Sequence, residues 1–141
     1  MFPRVRESAF MSAIRSIQLF ALAALLATPA VYAGDGKGNA ASGKELFVAS
    51  ACSTCHGVTK ESDLTIGPNL VGVVGRKAGT AKSILGASEN LKKYGVIWDT
   101  ETLDEFLTNP SAKVPGTAMI GMLTDPQQRA DVIAYLSTLK E

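Results

Sequence analysis

One histidine, His56, and two cysteines, Cys52 and Cys55, are the only imidazole and thiols in 141 residues. That shortage excludes a closed tetrahedral zinc site, which needs four Cys or His ligands. It also excludes a multi-disulfide scaffold. Aromatics make up 6% of the chain, with a single tryptophan, Trp98. A formal charge of +1 at pH 7 offers no basic face for nucleic acid. Strand-like alternation and internal repeats are both missing, so a sheet-based or solenoid architecture has no support. There is one uninterrupted greasy run, "SIQLFALAALLA" (16–27). It falls short of the roughly 20 apolar residues that span a bilayer.

What precedes and follows that run gives it a meaning. "MFPRVRESAFMSAIR" supplies Arg4, Arg6 and Arg15, and "TPAVYA" (28–33) ends on small residues at Val31 and Ala33. A basic start, a short apolar middle and an A-x-A-like end predict a cleavable secretory leader over 1–33, in preference to a retained membrane anchor. Residues 34–141 are then the functional domain, and its expected compartment is the periplasm. Losing Arg4, Arg6, Arg15 and Glu7 takes the formal charge of +1 down by two, to −1.

Within that domain the pattern predicts four helical segments. "SGKELFVASA" (42–51) places Leu46 and Phe47 on one face with Ser50 and Ala51, and "SENLKKYG" (88–95) ends at Gly95. "DTETLDEFLTNP" (99–110) has a cap at Asp99 or Thr100, a stripe of Leu103, Phe106 and Leu107, and Pro110 to stop it. "DPQQRADVIAYLSTLK" (125–140) opens with Asp125 and Pro126 and buries Val132, Ile133, Leu136 and Leu139, with Tyr135 at the edge. Between them, 57–85 is punctuated by Gly57, Gly67, Gly72, Gly75 and Gly79 and reads as loop, as does 111–123. Loops this long are uncommon in a compact domain unless they wrap something. The expected class is all-α, with several helices and long loops around a non-protein body.

"CSTCH" (52–56) says what that body is. A redox C-x-x-C belongs beside a βαβ pattern, which this chain does not show. C-x-x-C-H is instead the attachment signature of c-type haem. Each thiol adds across one haem vinyl group, the three-residue offset brings both sulfurs to one edge, and His56 follows as an axial ligand. A second axial histidine is excluded, because none exists. Outside the leader only Met119 and Met122 can supply a thioether, with lysine ligation or an open position as the alternatives.

At this point the chain resembles the class I, mitochondrial-type monohaem cytochromes c, which are soluble electron carriers. The resemblance rests on "CSTCH" (52–56), "GPNLVGVVGR" (67–76), "GVIWDTETLDEFLTNP" (95–110), "VPGTAMIG" (114–121) and "DVIAYL" (131–136), in order and near family spacing. It implies the small cytochrome c fold, one covalently attached haem c, and Met119 rather than Met122 as the sixth ligand. It implies that the Pro68 carbonyl accepts a hydrogen bond from the ring of His56. Arg76 and Trp98 match side chains that hydrogen-bond the haem propionates. Asn69 and Thr117 match residues supporting the two ligand loops, and Gly43, Phe47 and Tyr135 match the crossing of first and last helices.

The chain also departs from the family pattern. One extra residue stands between Phe47 and Cys52 and another between Arg76 and Trp98. Ile84, Leu85 and Ala87 replace an aromatic pair near the propionates, Phe106 replaces a frequent tyrosine, and Gly121 replaces a bulky aromatic. Lysines are sparse at the haem edge, where Ser111, Ala112 and Ala118 stand and only Lys113 remains. The expected function is one-electron carriage by a monomer that docks transiently with redox partners, without substrate turnover. The alternatives are a peroxidase-like haem enzyme or gas sensor with a labile sixth ligand, and a dedicated subunit of a dehydrogenase.

Overall fold

The computed structural model describes residues 37–62, 64–121 and 123–140. The leader expected at 1–33 and Met122 lie outside the described residues. Among the described residues five helices follow in order: α1 (Ala40–Ala49), α2 (Glu89–Tyr94), α3 (Thr100–Thr108), α4 (Pro110–Lys113) and α5 (Pro126–Thr138). A 3-10 turn at Cys52–Thr54 follows α1. Among the described residues the only extended pairing is an isolated antiparallel bridge between Lys77 and Ile97. The all-α class holds.

Each helix begins where a side chain satisfies its first amide groups. Asn39 caps α1 by accepting from Ala41 and Ser42, at 2.9 and 3.1 Å. That cap starts the helix at Ala40, two residues before the expected start at Ser42. Asp99 and Thr102 form a reciprocal capping box on α3, and Asp125 accepts from the Gln128 amide at 2.8 Å on α5. Pro110 does end α3, but Asn109 then caps a further turn, α4, with the proline at its first position. The expected irregular segment therefore opens with four helical residues. Ser50 and Ala51, expected on one helical face with Leu46 and Phe47, are exposed and lie past the end of α1. Their place in the pattern came from reading the helix too long.

The frame that carries the site is the crossing of α1 and α5. Phe47 and Tyr135 meet edge to face at 5.7 Å, a geometry that adds roughly 1 kcal/mol to the burial itself. The backbones approach so closely that a Cβ on Gly43 would stand 1.9 Å from the Asp131 carbonyl oxygen. Tyr135 is fully inside the buried stripe, 8% exposed, and not at its edge. Asp131 is buried beside the crossing, where its Oδ1 accepts from the Asn39 amide (2.8 Å) and from Gln127 Nε2 (2.9 Å). The same apolar core continues through Trp98, Leu103, Phe106, Leu107 and Val114. The 57–85 segment is loop throughout its described residues, as its glycines predict.

Candidate functional site

Ala51 takes a left-handed conformation, φ 58°, and turns the chain out of α1 into the 3-10 turn. Within that turn the amides of Cys55 and His56 both donate to the Cys52 carbonyl, at 3.1 and 3.0 Å. The two half-buried thiols are thus one tight turn apart, and both are free. Burial raises the Cys52 pKa, with a smaller rise from Cys55 and an opposing backbone hydrogen bond, so the thiol is kept neutral.

His56 is held on three sides. Its Nδ1 lies 2.8 Å from the Pro68 carbonyl oxygen. Burial lowers the imidazole pKa and the Pro68 contact opposes this, which favours the neutral ring. A neutral ring that donates from Nδ1 leaves the Nε2 lone pair for a metal. Gly67 lies against the ring so tightly that a Cβ would stand 2.6 Å from His56 Cε1. Two backbone bonds, Gly67 to the Cys55 carbonyl (2.9 Å) and Leu70 to the Gly57 carbonyl (2.8 Å), fasten this loop to the turn.

Asn69 and Arg76 brace the same loop from outside. Asn69 Nδ2 donates to the Thr59 carbonyl and its Oδ1 accepts from the Val71 amide, both at 2.8 Å. Arg76 donates from Nη2 to the Asn69 carbonyl (2.8 Å) and from Nη1 to the Val71 carbonyl (3.1 Å). Its guanidinium also borders a cleft with Thr65 and Lys82. Trp98 is buried between Tyr94 and Phe106, with ring centroids 5.9 and 5.0 Å away. Ile84 and Leu85, at the departure from the family's aromatic pair, are exposed. They are tied to the 65–66 strip by backbone bonds to Thr65 and Ile66.

Met119 belongs to a different scaffold. It is half-buried against the core, and its amide donates to Thr117 Oγ1 at 3.3 Å. The loop leaves α4 through Val114, 1% exposed, and turns at Gly116, φ 76°. Asn90 on α2 donates from Nδ2 to the Pro115 carbonyl at 2.7 Å. The loop's end is pinned by a bond from the Leu123 amide to the Leu107 carbonyl, 2.9 Å. Sequence reading missed Gly67 and Asn90. The first sits beside the motif proline and was available there; nothing local marks the second.

These residues suit a covalently tethered haem: two free thiols on one turn, an imidazole fixed through Nδ1, and a half-buried thioether on a separate loop. The family model described as Cytochrome c matches residues 40–140. The chain belongs to the cytochrome c family. It is 41% identical to cytochrome c2 of Rhodomicrobium vannielii, over 82% of this chain and 89% of that protein. It is 39% identical to cytochrome c-554 of Methylosinus trichosporium, over 88% and 93%. Among solved structures it resembles cytochrome cH from Methylobacterium extorquens, with a TM-score of 0.63 and 42% identity over 72% of this chain and 99% of that one. As a member of this family, the cytochrome binds haem c covalently and carries electrons.

Proposed function

We propose that this cytochrome is an exported, monomeric one-electron shuttle in which Cys52 and Cys55 form the haem thioethers and His56 and Met119 are the axial ligands. The observation that supports it best is the 2.8 Å contact between His56 Nδ1 and the Pro68 carbonyl. It turns Nε2 outward as a ligand and raises its basicity through the hydrogen bond. The bound haem supplies a reversible one-electron couple at its iron.

The chain's own part is to fill both axial positions and to change little when charge arrives. Met119, a soft donor, favours the reduced state and lifts the potential. His56 is fixed by carbonyl, glycine and loop, so it need not move between oxidation states. Arg76 and Trp98 match in sequence the side chains that bind the propionates in the family, and we assign them that role, with Thr117 supporting Met119. With both positions supplied by protein, no substrate is offered the metal. This favours carriage over catalysis. Among the described residues no helix is long and apolar enough to cross a membrane, which suits a shuttle released into the periplasm.

The spectrum tests the ligands. In ferric holoprotein, Met119→Ala removes the long-wavelength methionine-to-iron charge-transfer band and admits CO once reduced, whereas Met122→Ala leaves both unchanged. The reverse pattern, or ready CO binding by the unaltered protein, overturns the assignment.

Partner docking is read from the surface beside Met119. Ala118 and Gly121 are exposed and Ile120 is 91% exposed. Lys113, the single lysine expected there, is paired with Glu105 at 2.6 Å, which raises its pKa mainly through that hydrogen bond. Its charge is therefore largely answered within the molecule. Electron transfer with its partner should slow by less than about threefold between low and physiological salt, because steering needs unpaired charge. A steep salt dependence contradicts this docking mode.

A further inference from the structure

The loop bearing Met119 has two posts, and the second contains a group that the carrier chemistry does not itself require. Arg129, in the second turn of α5, is buried, with its side chain 10% exposed. Its Nη1 donates to the Leu123 and Thr124 carbonyls, each at 2.9 Å, and its Nε donates to Asp104 Oδ1 on α3 at 2.7 Å. Leu123 is thereby held at both of its backbone groups, since its amide already bonds the Leu107 carbonyl. One guanidinium joins α3, α5 and the end of the ligand loop.

The geometry points to Arg129 as a positioning residue for the Met119 sulfur. Between the Thr117 turn and Leu123, the described residues Ala118, Ile120 and Gly121 are exposed, so that stretch packs on the core through Met119 alone among its described residues. Where the sulfur sits, and how often it leaves, is then decided by the posts. The first post is apolar, Val114, with one amide bond from Asn90. The second is the guanidinium. A buried arginine cannot drift from its acceptors without leaving a charge unsolvated, so this post is stiff. The fork also explains the residue type. Three acceptors in two directions suit a planar group with several fixed donors, whereas an ammonium is a point charge.

This inference rests on Met119 being the ligand, and the Met119→Ala spectrum decides that separately. The experiment uses ferric holoprotein and imidazole as the incoming ligand, reading the displacement rate at saturating imidazole, which reports how fast the sulfur leaves. Arg129→Met, which keeps an apolar stem, should raise that rate about tenfold, the equivalent of one charge-assisted hydrogen bond. Arg129→Lys should fall between. Phe47→Leu, which weakens the α1–α5 crossing far from the loop, is the control for global loss of stability. If Arg129→Met at a matched Tm releases the sulfur no faster than Phe47→Leu does, the positioning role is wrong. Should Arg129→Met fail to mature, Arg129→Lys decides: faster release supports the role, and an unchanged rate overturns it.

Discussion

The two halves of the proposed haem site are built by opposite means. The histidine half is cross-linked along its length: Gly67 to Cys55, Leu70 to Gly57, Asn69 to Thr59 and Val71, Arg76 to Asn69 and Val71, and Pro68 to the ring itself. The methionine half is held at its two ends, and between them the described residues around the half-buried Met119 are exposed, with Ile120 at 91%. Local stability follows the density of such contacts. The lesson is an asymmetry: the His56 side behaves as framework, and the Met119 side as the place where the protein opens first.

Gly67→Ala is the severest way to test the framework half. The added methyl lands 2.6 Å from His56 Cε1, a collision that neither ring nor loop can relieve without breaking the Pro68 contact. We expect a loss of about 3 kcal/mol or more, at the overpacked end of core substitutions, seen as collapse of holoprotein yield. A normal yield with an unaltered low-spin spectrum would show that the framework yields where we take it to be rigid.

A gentler pair of changes sharpens the contrast. Asn90→Ala removes one side-chain hydrogen bond to a loop carbonyl and Asn69→Ala removes two side-chain bonds within its loop, each worth about 1 kcal/mol. Asn69→Ala should lower the Tm by a few degrees while leaving the rate of sulfur displacement unchanged. Asn90→Ala should do the reverse, speeding displacement a few-fold with little change in Tm. Equal behaviour of the two variants would erase the distinction between the halves.

The smallest effect concerns pH and lies outside both halves. Hydrogen bonds from the Thr102 amide and hydroxyl hold the Asp99 pKa below its ordinary 3.8. Because the folded value is depressed, the cap's contribution is present above 3.8 and fades as pH falls through the lower folded value. Asp99→Asn should flatten that part of the acid limb without touching the spectrum. A shifted spectrum would tie α3 to the haem more directly than the geometry does.

Legibility from sequence followed the range of the interactions. "CSTCH" was complete in itself, because attachment chemistry needs only a three-residue offset and the next position. Asp99 and Asp125 were readable as caps because their partners lie three residues on. The Pro68 contact spans 12 positions of aperiodic loop, so only the family resemblance disclosed it. Asn90 and Arg129 reach partners 25 positions away, and neither carries a local mark. Arg129 in "QQRAD" looks like any solvated arginine until α3 and Leu123 close around it. Asn109 misled for another reason: one residue ends α3 and caps α4, and proline was read only as a stop.

The bond from Asn39 to Asp131 spans 92 positions, so α1 gains its mate only once α5 is in place. A loop of that length closes at a cost in chain entropy, so the thiol-bearing turn behind α1 gains its full anchorage only when the two end helices clasp.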